Sequence, residues 1–153
     1  MGISEDIKQS KFKSELNKAI INIIYTNNWL QQKQVQMFKP YGLTLPQYNI
    51  LRILRGQHPK PATVNLLIER MLDKSSNASR IVDKLESKNL VARKQCSDDR
   101  RAVDVFITSE GLNTLDQIDA QLSEWEGSLK GLNEEDCKNL NDMLDRIRSS
   151  IEE

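Results

Sequence analysis

Between residues 5 and 38 the apolar positions Ile7, Leu16, Ile20, Ile23, Ile24, Leu30 and Val35 recur mostly three, four or seven residues apart. Such spacing keeps one face of a helix apolar, so it predicts a single long amphipathic helix over this stretch. Pro40 and Gly42 cannot comfortably continue that helix and stop it. The segment TLPQ at 44–47 has the Thr-x-x-Gln form of a capping box, with Pro46 tolerated in the first turn. It predicts a second helix running to about Arg55, before Gly56. After the loop GQHPKPA, Val64, Leu67, Ile68 and Met71 fall at i, i+3, i+4 and i+7, and Ala78, Ile81, Val82 and Leu85 repeat that spacing beyond the short turn LDK. Two short helices joined by a tight turn make a helix-turn-helix candidate.

The period then changes. LVARKQ at 90–95 and AVDVFIT at 102–108 have strand character, the second with Val103, Val105 and Ile107 on one face. Cys96 to Arg101 between them are too many for a two-residue hairpin turn, so the connection is expected to project with Asp98, Asp99, Arg100 and Arg101 at its tip. A helix-turn-helix followed at once by a charged hairpin is a winged helix. Further on, Leu112, Leu115, Ile118, Leu122, Trp125 and Leu129 form a narrow seam close to that of a coiled coil. Asn133 can cap a last helix carrying Leu140, Met143, Leu144, Ile147 and Ile151. Stripes of this kind need partners. The pattern as a whole predicts a mainly α (α+β) fold, a winged helix-turn-helix with a two-stranded β wing and long helices at both ends.

At 153 residues the chain fits one compact domain, or one domain with helical extensions. Its formal net charge of zero hides a division. Residues 1–101 hold 18 Lys or Arg against 9 Asp or Glu, a balance of +9, and residues 102–153 hold 4 against 13, a balance of −9. The first part suggests a surface for a polyanion, and the acidic part other work. Two cysteines, Cys96 and Cys137, argue against a disulfide scaffold and suit a reducing compartment. No run reaches the roughly 18 apolar residues of a membrane helix, and MGISEDIKQSK lacks a secretory apolar region. A soluble, cytoplasmic protein with no membrane partner is expected.

The stretch DDRRAVDVFITSEG resembles the wing signature of the MarR family of bacterial transcription regulators, Asp-x-Arg-x-x-x-Val-x-Leu-Thr-x-x-Gly. Asp99, Arg101, Val105, Thr108 and Gly111 meet it, with Ile107 where the family prefers Leu. SRIVDKLESKNLVARK is similar to the family's recognition helix and first wing strand, and element order and length agree along essentially the whole chain. One departure is Asn89, where the family usually has Gly; Asn tolerates the left-handed backbone that such a helix end requires. The resemblance implies a single MarR-type domain over 1–153, with 1–39 and 112–153 as dimerisation helices and 44–111 as the winged-helix DNA-binding region. It also implies a homodimer whose terminal helices intertwine. Such a dimer reads a pseudo-palindromic operator in double-stranded DNA, and a small aromatic or anionic effector commonly releases it as a repressor.

Roles for single residues follow from helix geometry. With Ala78, Ile81, Val82 and Leu85 fixing the buried direction, the opposite face is centred on Ser76, Arg80, Asp83 and Ser87. Ser75, Ser76, Asn77, Ser79, Arg80 and Lys84 are the expected DNA contacts on the recognition helix, although Ser75 or Ser76 could instead cap it. Arg101 is expected to enter a narrow A·T-rich minor groove, as a guanidinium does, with Arg100 on phosphate. The resemblance implies that Asp99 orients Arg101 through a charge-assisted hydrogen bond. Lys88 and Lys94 would add phosphate contacts. Tyr25, Trp29 and Tyr48 lie on helices that would line an effector crevice, or they belong to the core.

Other chemistries have little to stand on. One histidine, His58, stands beside Pro59, and there is no Gly-rich phosphate loop, no Gly-x-Ser-x-Gly and no zinc spacing, so no enzyme activity, cofactor or metal is expected. Two alternatives stay open: a winged-helix protein-interaction module without DNA binding, and a redox sensor of the same family. Residues 1–39 lack the cysteine of the family's peroxide-sensing branch, but Cys96 sits near Arg93 and Lys94, which could favour a thiolate. Cys137 reads as an ordinary buried or half-buried residue.

Overall fold

The computed structural model describes residues 2–95 and 103–150. The chain divides between Ile118 and Asp119 into two compact units. The first opens with a short helix α1 (Ile3–Asp6) and continues with α2 (Glu15–Phe38), a 3-10 turn (Lys39–Tyr41), α3 (Leu45–Gln57), β1 (Ala62–Thr63), α4 (Val64–Arg70), α5 (Ala78–Ser87), β2 (Val91–Gln95), β3 (Val103–Ile107) and α6 (Ser109–Ser128). The unit boundary falls inside α6, and α7 (Glu134–Ser149) belongs to the second unit.

The continuous helix expected from residue 5 is in fact broken. Lys8 adopts a left-handed φ of 53°, and Ser14 starts α2 afresh, its side chain accepting from the Asn17 backbone N–H at 3.0 Å. The apolar period carried through Ile7 because periodicity does not register a cap placed within it. Between the elements that follow, Thr44 and Gln47 form the expected capping box: Gln47 N donates to Thr44 Oγ1 at 3.4 Å and Thr44 N to Gln47 Oε1 at 3.1 Å. Helix α3 passes through Gly56, where a Cβ would meet nothing within 4 Å, and reaches Gln57. A glycine inside a helix costs only about 1 kcal/mol, so tertiary packing overrides it.

The two wing strands β2 and β3 pair as expected, and a third strand, β1, joins them. In the antiparallel order β1-β3-β2, Ala62 stands opposite Val105, and Val91 opposite Ile107. A two-residue strand inside PKPAT has no periodicity of its own; the far edge of β3 supplies its pairing. Thr63 ends this strand and also caps α4, its hydroxyl accepting from Leu66 N at 3.2 Å.

Phe38, Ile50, Leu51, Leu54, Leu67, Val82, Leu85, Val105, Leu115 and Ile118 are fully buried and make the core of the first unit. The predicted buried face of α5 holds: Ala78, Val82 and Leu85 are buried, and Ile81 is half-buried. At the end of α5, Asn89 has a left-handed φ of 58°, and Leu90 N reaches back to Leu85 O at 3.0 Å. In the second unit, Asn133 and Asp136 cap α7 reciprocally, with bonds of 2.9 and 3.0 Å.

Candidate nucleic-acid interface

The turn between α4 and α5 is tied down from three directions. Asn49 on α3 accepts from Leu72 N at 2.9 Å, and the Lys74 ammonium donates to the Ile68 and Glu69 carbonyls that end α4. Asp73 takes the Ser75 N–H at 2.9 Å and its hydroxyl at 2.6 Å on one oxygen, and the Ser76 hydroxyl at 2.9 Å on the other. Those donors hold the Asp73 carboxyl below its ordinary range, the Ser75 hydroxyl contributing most. Neither serine caps the helix. Asn77 does, its side-chain oxygen accepting from Arg80 N at 3.0 Å.

Beyond the cap, Ser79, Arg80 and Lys84 are exposed on the face of α5 turned away from the core. Asp83 shares that side, where an unmatched carboxylate would oppose a polyanion. Arg93 on β2 answers it: its guanidinium donates to the Asp83 carboxylate, donates to the Ser79 carbonyl at 3.2 Å and lies 3.8 Å from Glu86. Arg93 thus neutralises part of the exposed face of α5 and fastens the first wing strand to the helix. Of the lysines expected on phosphate, Lys88 donates to the Gly42 carbonyl and reaches Gln47 Oε1 at 3.5 Å, a link from the end of α5 to the capping box of α3. Lys94 lies over the Phe106 ring at 5.6 Å.

Asp99, Arg100 and Arg101 lie outside the described residues, as do Asp98 and Cys96. The end of the wing motif is described, and its geometry is structural. Thr108 N donates to Leu90 O at 3.1 Å, its hydroxyl donates to Asn89 O at 2.7 Å, and Gly111 N donates to that hydroxyl at 3.0 Å. A Cβ at Gly111 would run into the Leu90 carbonyl oxygen and Ile107. Thr108 and Gly111 therefore lock the exit of the wing against the end of the recognition helix.

The three aromatic residues separate. Tyr25 and Trp29 line an open cavity of about 350 Å³ with Gly2, Ile3, Asp6, Asn22 and Thr26, between α1 and α2. Tyr48 is not among its walls; it is buried, stacks on Phe38 with ring centroids 4.3 Å apart and accepts from Arg52 at 3.0 Å. An aromatic on the inner face of α3 packs into the core because that is where its apolar area leaves water. Cys137, read as buried or half-buried, is exposed with a free thiol. Among the described residues no group of His, Cys, Asp and Glu could hold a metal ion, and no helix is long and apolar enough to cross a membrane.

Sequence reasoning gave Asp73 no role and read Arg93 only as a charge near Cys96. The first could have been found from Asp-x-Ser-Ser, a side-chain turn signal ahead of a helix. The second, a cation on a strand, needed the packing of β2 on α5 to acquire its meaning.

A helix-turn-helix with its second helix exposed on one face, preceded by a short strand and followed by two paired antiparallel strands, defines a winged helix-turn-helix protein. The MarR family model matches residues 43–103, and through that span the chain belongs to the MarR family of winged-helix transcription regulators. It is similar to the HTH-type transcriptional regulator MgrA of Staphylococcus aureus, 24% identical over 118 residues that make up 77% of this chain and 78% of MgrA. It is also similar to the HTH-type transcriptional repressor MdtR of Bacillus subtilis, 34% identical over 82 residues, 54% of this chain and 52% of MdtR. Among solved structures, the fold matches S. aureus MepR in its complex with DNA, with a TM-score of 0.72 at 22% identity, over 93% of this chain and 99% of the MepR chain.

Proposed function

We propose that the chain is a dimeric, sequence-specific repressor that reads a pseudo-palindromic operator and leaves it when a small molecule binds. The observation that carries this is the exposed row Ser79, Arg80 and Lys84 on α5, with Asp83 beside it matched by Arg93. In this reading α5 enters the major groove of double-stranded DNA with Ser75, Ser76 and Asn77 at its leading edge. Arg101 probes the adjacent minor groove, oriented by Asp99, with Arg100 on phosphate.

The dimer is supported by apolar side chains left facing solvent in both units. Leu16, Ile20, Ile24 and Val35 on α2 and Leu140 and Met143 on α7 are all more than 40% exposed. Rows of exposed apolar side chains on a helix, taken in each unit by itself, mark an interaction surface. Segments 1–39 and 112–153 would then pair two copies around a two-fold axis. Tyr25 and Trp29 offer the effector an aromatic-walled cavity in the size range of small-molecule sites. Release follows if the effector binds one dimer geometry better than the other. The relatives support the reading by name: MdtR is a repressor, and MepR has been solved on DNA.

Selection of sites from random duplexes with the purified protein tests the proposal. An enriched inverted repeat with half-sites about 34 Å apart is expected. Affinity should fall steeply with added salt as phosphate-bound cations are displaced. Binding to no duplex at low salt would favour a protein-interaction module instead.

A further inference from the structure

The hydrogen bonds around Asp73 fix more than the shape of a turn. A serine hydroxyl carries one proton and two lone pairs, whereas an ionised carboxylate can only accept. With Ser75 Oγ 2.6 Å and Ser76 Oγ 2.9 Å from the Asp73 oxygens, both hydroxyl protons point at the carboxylate. The Ser75 N–H is spent on it as well. What these serines still offer is lone pairs alone. Asn77 is committed in the opposite sense, because its oxygen is occupied by Arg80 N and its amide protons are left over. The leading edge of the recognition helix is thus an ordered string of acceptor, acceptor and donor.

Resting on the DNA-binding reading above, we propose that Asp73 is a specificity-determining positioning residue. It makes Ser75 and Ser76 obligate acceptors and so selects, at the base pair they meet, a base with an amine in the major groove, cytosine or adenine. Phosphate oxygens, guanine O6 and N7 and thymine O4 are acceptors and cannot pair with these hydroxyls. The serines are therefore base readers, and phosphate contact falls to the cations. An aspartate is already ionised at neutral pH, and the hydrogen bonds that lower the range of Asp73 hold it so into more acidic solution, which preserves the direction of both bonds.

The test is competition binding with the full-length protein on the duplex enriched from random sequence, each base pair replaced in turn. Three proteins are compared: the wild type, Asp73→Asn, and Ser75→Ala/Ser76→Ala with Asp73 intact. The asparagine amide donates to one serine oxygen and releases that hydroxyl proton outward. The wild type is expected to prefer cytosine or adenine by about fivefold or more at one symmetry-related pair of positions. The double serine variant loses that preference, Asp73→Asn weakens it by the share of the one serine it frees, and both keep the profile elsewhere. Overall affinity is not the readout, since removing a negative charge raises it at every sequence alike. If Asp73→Asn does not fold, the double serine variant decides. Identical base profiles in the folded proteins overturn the inference and leave DNA binding standing. A wild type that enriches no duplex overturns the DNA-binding reading, and this inference with it.

Discussion

Asp73, Thr108 and Gly111 show how much of a motif serves geometry before recognition. A carboxylate with three donors on it ionises below the ordinary range, so its folded-state value is depressed. The stabilisation it lends is complete above the unfolded value and disappears as pH drops through the folded one. Carboxyl-carbon NMR should place its midpoint below that of an aspartate in an unstructured peptide, and a midpoint equal to the peptide's would show the turn to be open in solution. At Gly111 the Leu90 carbonyl leaves no room for a methyl group. Gly111→Ala should cost about 1 to 3 kcal/mol in denaturant unfolding, as overpacking does. Arg101→Ala belongs to the proposed DNA contact: a loss of ~1 to 3 kcal/mol in affinity with relaxed preference at A·T flanks is expected. Unchanged binding would remove the wing tip from recognition.

Helix α5 and strand β2 act as a pair because Arg93 joins them. Its partners Asp83 and Glu86 stand one helical turn apart on α5, and Arg93 reaches both from the opposite element. Exposed ion pairs contribute only about 0 to 1 kcal/mol, so Arg93→Met should barely move the unfolding midpoint. Its effect on DNA should be larger, because Asp83 then faces phosphate unmatched and the wing loses a fastening. Asp83→Asn in the Arg93→Met background should restore part of the affinity. A double variant as weak as the single one would mean that Arg93 acts only by fastening the strand. The helices were legible from their 3.6-residue period and the wing strands from alternation. The break before Ser14 and the strand β1 were not, since one depends on a cap that apolar spacing does not record and the other on an edge presented by distant residues.

For the proposed dimer, the terminal helices are the place to intervene. Leu115, Ile118 and Leu122 of the expected seam are already buried within one chain, so Leu122→Asp would injure the protomer as well as any dimer. Leu140 and Met143, 43% and 53% exposed, are the cleaner probes. Leu140→Asp/Met143→Asp should leave circular dichroism and the unfolding midpoint near the wild type while shifting sedimentation from dimer to monomer and abolishing operator binding. A variant that stays dimeric would exclude α7 from the interface.

Periodicity, capping residues and the Asp-x-Arg to Thr-x-x-Gly spacing were enough to establish a winged helix, its family and the exposed face of α5, because each depends on residues near one another in the chain. Contacts between elements assigned the remaining roles. Asn77 and not a serine caps α5, Lys88 serves α3, Tyr48 joins the core beside Phe38, and Arg93 matches Asp83. A side chain's hydrogen-bonding partner is chosen by what folding brings within about 3 Å, and one-dimensional spacing carries no record of that proximity.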